Sequence, residues 1–245
     1  MSFLKVENLS VSVDEKPIVK NLDLEIKSGS IHALMGPNGS GKSTLAKTLM
    51  GHYDCQVEGK IIFQNKDISD LSPEKRSKLG FFMSFQNPLE IPGLQVLTFL
   101  KELHSIHNGT ISVLEFKVLV KEYLKILNLD EAFLFRNLND GFSGGEKKRL
   151  EMLQLMVVQP KLAIIDEIDS GLDVDALKKV ADAIKFCRLK NPKMAVILIT
   201  HYNRILDHIQ PDYVHVLTNG SIKDSSNFLL AKVIEKTGYS NYGQL

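Results

Sequence analysis

Only two cysteines, Cys55 and Cys187, occur in 245 residues. They show no metal-type spacing, so neither a disulfide-stapled fold nor a zinc site is expected. Both are read as small apolar side chains in a reducing compartment. An excess of either charge is also missing: 30 Lys and Arg face 29 Asp and Glu, a formal net charge of +1. No whole-molecule field points to nucleic acid or to an anionic membrane surface. Long apolar runs are absent as well. The longest aliphatic stretch covers residues 194–199, far short of the ~20 that span a bilayer. Met1 to Glu7 shows no basic segment followed by an apolar one, so no secretory signal is expected, and no transit peptide is read. The expected compartment is the cytoplasm, or the plastid stroma for a chain whose transit peptide has been removed. Neither an internal repeat nor a low-complexity stretch is found. At 44% hydrophobic and 24% charged, the composition is that of an ordinary globular protein with a sizeable core.

What the chain does have is Gly36-Pro37-Asn38-Gly39-Ser40-Gly41-Lys42-Ser43-Thr44, the pattern G-x-x-x-x-G-K-[ST]. Residues 31–35 before it read as a short apolar strand, and 45–50 after it as the start of a helix. A phosphate loop needs this strand–loop–helix context. The glycines let successive N–H groups turn inward, and the helix start adds its partial positive charge. Lys42 is placed to reach the β- and γ-phosphates, and the Ser43 hydroxyl to ligate Mg²⁺.

Residues 3–35 read as strands, with a turn at 14–17. Another strand follows at 57–63, then a helix start at Ser72 and Pro73 and an apolar strand at 80–85 ending on Gln86. Pro88, Pro92 and Gly93 break the chain, and no glycine occurs between Gly109 and Gly141. Val113, Phe116, Val120, Tyr123 and Leu127 fall at helical spacing. The expected organisation is a single domain over 1–245. Residues 1–87 and 141–225 form an α/β core, 88–140 a helical subdomain, and 226–245 a closing helix and tail. Within the core, a helix runs from Ser143-Gly144-Gly145 to about Val158, and 162–165 and 195–199 are buried strands. Asn219-Gly220 marks a hairpin.

Ligands of open α/β sheets gather at the carboxyl ends of buried strands. Asp166 and Glu167 end one such strand. Asp166 suits a Mg²⁺ ligand, and Glu167 a general base toward an attacking water. Gln86, ending another, offers an amide to metal or water without adding charge. His201 ends a third, where an imidazole can sense a γ-phosphate. Ser143-Gly144-Gly145-Glu146 is a second glycine-rich helix start and hence a second anion site. One nucleotide does not need both helix starts from one chain. Bland readings go to His104 and His107 as a wet helix face, and to Lys147-Lys148-Arg149 as a solvated charge run.

These motifs, in this order, resemble the ATP-binding-cassette family over essentially the whole chain. Gly36–Thr44, Gln86, Phe142–Glu146, Leu162–Glu167, Ser170–Asp173 and His201 match its Walker A, Q-loop, signature, Walker B, D-loop and switch-histidine motifs. The resemblance implies a RecA-like P-loop core with an antiparallel β subdomain and an inserted helical subdomain. It further implies ATP and Mg²⁺ as cofactors and a transient, ATP-dependent head-to-tail homodimer. ATP would be held by Gly36, Pro37, Asn38, Gly39, Ser40, Gly41, Lys42, Ser43 and Thr44 of one copy and by Ser143, Gly144 and Gly145 of the other, with Asp173 beside them. Glu167, His201 and Gln86 would be catalytic, and Ser43, Gln86 and Asp166 the metal ligands. Within the family, residues 142–149, 169–173, 85–93 and 199–202 are similar to the SufC-type ATPases of the Suf iron–sulfur cluster assembly system. That likeness implies docking on SufB-like and SufD-like scaffold subunits, with no nucleic acid and no direct membrane insertion. The alternatives are the ATPase subunit of a membrane transporter and a non-hydrolysing nucleotide switch. Many cassettes carry an adenine-stacking aromatic near the end of the first strand. Residues 10–13 here have none, which implies modest ATP affinity.

Overall fold

The structure, a computed structural model, describes residues 3–86, 88–200 and 204–243. Two compact units emerge: residues 1–83, 161–167 and 193–245 form one, and 84–160 and 168–192 the other.

The first unit holds two sheets. In the six-stranded one the order is β12-β11-β3-β10-β9-β6. Its members are β3 (Ile31–Met35), β6 (Phe81–Met83), β9 (Leu162–Asp166), β10 (Ala195–Ile199), β11 (Tyr213–Thr218) and β12 (Ser221–Ser226). All neighbours pair in parallel except β11 with β12. β3, β9 and β10 are buried at every position, as expected of near-continuous apolar strands covered on both faces, with His32 in β3 and Asp166 at the end of β9 the polar exceptions. The antiparallel sheet runs β2-β1-β4-β5, from β1 (Leu4–Val13), β2 (Lys16–Ile26), β4 (Gln56–Phe63) and β5 (Lys66–Asp67). Along β1 the wet and dry positions alternate, and a register shift beside Asn8, whose φ is 49°, re-aims the strand without ending it. Helices α1 (Lys42–Met50), α2 (Pro73–Lys78), α7 (Arg204–His208) and α8 (Leu229–Thr237) complete this unit. Between the sheets lies a continuous core that includes Leu4, Ile26, Leu45, Leu49, Phe81, Ile164 and Ile197.

A polar chain crosses this core. Ser30 Oγ donates to Lys27 O, so it accepts from His32 Nε2 at 2.8 Å. His32 Nδ1 must then accept from His215 Nε2, and His215 Nδ1 from Ser225 Oγ, each at 2.8 Å. One direction of donation satisfies every member and ties β3 to the hairpin of β11 and β12. Burial first, then His215 and Lys27, pushes His32 down to about 3; burial pushes His215 down to about 4.

The second unit is mainly helical: α3 (Val96–Asn108), α4 (Val113–Leu127), α5 (Gly144–Val158) and α6 (Val174–Lys190). The segment 88–140 lies in it together with α5 and α6. Ser112 and Glu115 form a capping box at α4, and Ser143 and Glu146 another at α5. The region of Pro92 and Gly93 is a strand, β7 (Ile91–Gln95), paired with β8 (Asn137–Leu138). In a two-stranded ribbon every strand is an edge, where proline is tolerated.

Candidate functional site

Gly36 leaves β3 with no room for a side chain: a Cβ there would lie 2.1 Å from the Leu217 carbonyl oxygen. Gly41, at φ 105°, caps α1 in a left-handed conformation that glycine alone adopts freely. No side chain caps α1 and its first turn has no acid, so the helix start presents backbone N–H groups and the positive end of its dipole. A cleft of about 250 Å³ opens there, lined by Asn38, Gly39, Gly41, Lys42, Ser43, Thr44, Glu167 and Ile18.

Lys42 is buried, and its Nζ donates to the carbonyls of Gly36 and Pro37, each at 2.9 Å. Burial pushes its ammonium down to about 8, against the pull of the Glu167 and Asp166 carboxylates. Asp166 ends β9, is 2% exposed and lies close enough to Lys42 to act on it. Glu167 turns the chain at φ 48°, rare for a side chain of its size, while its N–H donates to Ile199 O at 2.9 Å. The donor set suits a polyphosphate with a hard cation. Backbone N–H groups and an ammonium meet anionic oxygens, and the Ser43 hydroxyl and Asp166 carboxylate supply the oxygen ligands Mg²⁺ prefers.

In the second unit the structure brings Ser143, Gly145 and Asp173 to one groove of about 390 Å³, shared with Asn128, Arg149, Gly171, Leu172, Asp175, Ala176 and Lys179. Gly144 opens α5 beside them. Ser143 Oγ accepts from Glu146 N at 3.2 Å, and Glu146 in turn pairs with Arg136. Asp173 caps α6, its Oδ1 accepting from Ala176 N at 2.7 Å. Gln86 follows β6 at an exposed bend. His201 lies outside the described residues.

Three features escaped the sequence reading. Lys147-Lys148-Arg149 is not merely a wet face. Lys147 Nζ meets Glu90 Oε1 at 2.8 Å, Lys148 Nζ meets Ser170 Oγ at 2.9 Å, and Arg149 donates to Gly145 O and Asn128 O. The run straps three loops onto α5. Glu151, one turn further, is 1% exposed and accepts from Phe85 N at 2.6 Å, beside Gln86. Burial pushes its carboxyl up to about 7. Third, the Tyr239 hydroxyl accepts from Gly36 N at 3.1 Å. Only a helical period that puts Glu151 among apolar neighbours hinted at any of these. On α3, His104 packs edge-on against Phe116. No group of three His, Cys, Asp or Glu suited to a metal occurs among the described residues, nor any helix long and apolar enough to cross a membrane.

This is the arrangement of an ATP-binding cassette, and comparison with known proteins agrees. The ABC transporter family matches residues 19–170, and the chain belongs to it: it is an ABC-type ATPase. A probable ATP-dependent transporter of Escherichia coli K12, SufC, is 48% identical over 242 residues, covering 96% of this chain and 97% of its own. The probable ATP-dependent transporter slr0075 of a Synechocystis strain is 47% identical over 244 residues, covering 97% and 94%. The SufC-type resemblance read from the motifs thus has a relative of that name. Among solved structures, the dimeric MJ0796, a bacterial ABC transporter cassette, superposes with a TM-score of 0.79 at 24% identity, covering 92% of this chain and 98% of that one. This supports the fold: a P-loop core with an antiparallel sheet and a helical part.

Proposed function

We propose that the chain is the ATP-binding and hydrolysing subunit of a SufBCD-like assembly, working through a head-to-tail dimer that forms around ATP. The observation that carries this reading is the placing of Glu167 and Lys42 in one cleft at the start of α1. Lys42 and the loop N–H groups hold the β- and γ-phosphates of ATP. Glu167 takes the proton of the attacking water, and Asp166 and Ser43 would hold Mg²⁺. Bound there, Mg²⁺ supplies neutralisation of the charge that builds on the phosphate oxygens. Gln86 as a further metal ligand and His201 as a sensor of the γ-phosphate enter from the family resemblance alone.

Ser143, Gly144 and Gly145 at the start of α5 are the complementary half-site. In a two-fold dimer each copy lends its half to the other, which closes two identical sites. Formation and loss of that dimer would move any scaffold held by the two copies. SufB-like and SufD-like subunits are the proposed scaffold, on the strength of the SufC relative. A second reading, the ATPase subunit of a membrane transporter, is favoured by the word transporter in the relatives' names. Co-purification separates the two: soluble scaffold partners support the first, integral membrane partners the second.

Glu167→Gln tests the chemistry. The variant should bind ATP like the parent, lose turnover by at least a hundredfold and accumulate as an ATP-bound dimer on size exclusion. Turnover at the parental rate would remove Glu167 as the base.

A further inference from the structure

The phosphate loop is held from outside at two places. Mid-loop, Ser40 O accepts from Gly220 N, in the turn between β11 and β12, at 3.1 Å. At its first residue, Gly36 N donates to the Tyr239 hydroxyl at 3.1 Å. Tyr239 comes from beyond α8, where Gly238 at φ 64° turns the chain back. Its segment is anchored in turn. Tyr242 O accepts from Thr218 Oγ1, and the Tyr242 hydroxyl donates to Asp224 Oδ2, both at 3.0 Å. Thr218 directly follows Leu217, whose carbonyl oxygen abuts Gly36. The end of β11, the loop's first glycine and the C-terminal segment therefore form one hydrogen-bonded unit. Among the described residues, 239–242 are not part of the lining of the phosphate cleft.

We propose that residues 239–242 are a positioning strap for the phosphate loop. In this role the Tyr239 hydroxyl fixes the Gly36 N–H and so sets the loop's shape before nucleotide arrives. The proposal rests on reading residues 36–44 as the nucleotide site. Its physical basis is preorganisation. The loop from Gly36 to Gly41 must adopt one conformation for its N–H groups to converge, and a loop already held in that shape loses less entropy on binding. Tyr239 is not among the residues that line the cleft and reaches the loop through the Gly36 N–H, so it is a positioning residue. Its hydroxyl should act on affinity and leave the chemical step alone.

Tyr239→Phe keeps the ring and removes only the hydroxyl. In hydrogen exchange of the nucleotide-free protein, the Gly36 amide should exchange at least tenfold faster. Kd for a fluorescent ATP analogue and KM for ATP should both rise three- to tenfold, the range expected for one hydrogen bond. The kcat should stay within twofold, and thermal stability should change little. Unchanged Gly36 exchange overturns the strap. Faster exchange with unchanged Kd overturns its positioning role, as does a drop in kcat and Tm with KM unmoved. Lys42→Ala separates this from the underlying reading. If that variant bound ATP as tightly as the parent, the nucleotide site would be misplaced, whereas Gly36 exchange would still decide whether the strap exists.

Discussion

Lys42 shows how burial and function meet in a single side chain. Its ammonium sits in its own loop's carbonyls, and burial holds it near 8, against 10.5 for an ordinary lysine. Between those values the folded chain binds fewer protons than the unfolded one. The cost of burying the charge is therefore full below pH 8 and is relieved as pH rises from 8 toward 10.5. A bound polyphosphate reverses the balance by favouring the charged form. ATP binding should accordingly take up a proton in alkaline solution, and Kd should rise up to about tenfold per pH unit above 8. Titrations from pH 7 to 9.5 check this, and a flat Kd would contradict it. At this scale the sequence was legible where a residue's neighbours in the chain decide its environment, as in the loop 36–44. It was not legible for Tyr239 or Glu151. Their partners, Gly36 and Phe85, lie 203 and 66 residues away; nothing local marks Tyr239, and the apolar neighbours of Glu151 hint at its burial but not at its partner.

Among the elements, α1 depends on a residue that also looks ordinary in the sequence. Arg76 sits in the charged run of α2, yet it is 1% exposed. Its guanidinium donates to Thr48 O and Leu49 O at the end of α1, and to Leu71 O and Ser69 O. A cation at a helix C-terminus complements the dipole and satisfies carbonyls that the helix cannot. Arg76→Met keeps much of the volume but removes the donors to four carbonyls, two of them buried; Thr48 O retains Gly51 N, while Leu49, Ser69 and Leu71 lose the guanidinium. Loss of about 2–4 kcal/mol is expected in denaturant unfolding, with retained ATP affinity in the folded fraction. A change below 0.5 kcal/mol would show that the carbonyls find other partners. The helices that announced themselves did so by caps and stops. Ser143 and Glu146 begin α5 and Pro160 follows its end, while Asn219-Gly220 makes the hairpin of β11 and β12. The ribbon of β7 and β8 stayed hidden because Pro92 and Gly93 read as breakers and the partner strand lies beyond two helices.

Taken whole, the molecule carries two glycine-rich helix starts, at α1 and α5, each built from local sequence and each in its own compact unit. The fold class was legible because six motifs recur in family order. What the motifs leave open is the assembly, since a composite site is a property of two copies. In the proposed dimer, ATP is hydrolysed between the phosphate loop of one copy and the Ser143–Gly145 helix start of the other. Complementation tests it most directly. Lys42→Ala loses the first half-site and Ser143→Arg the second, so each variant alone should lack turnover. Mixed, random pairing puts half of the dimers in the hybrid form, and each hybrid has one intact site of two. Activity should return to about a quarter of the parental rate. No recovery from two folded variants, or full turnover by Ser143→Arg alone, would contradict the claim.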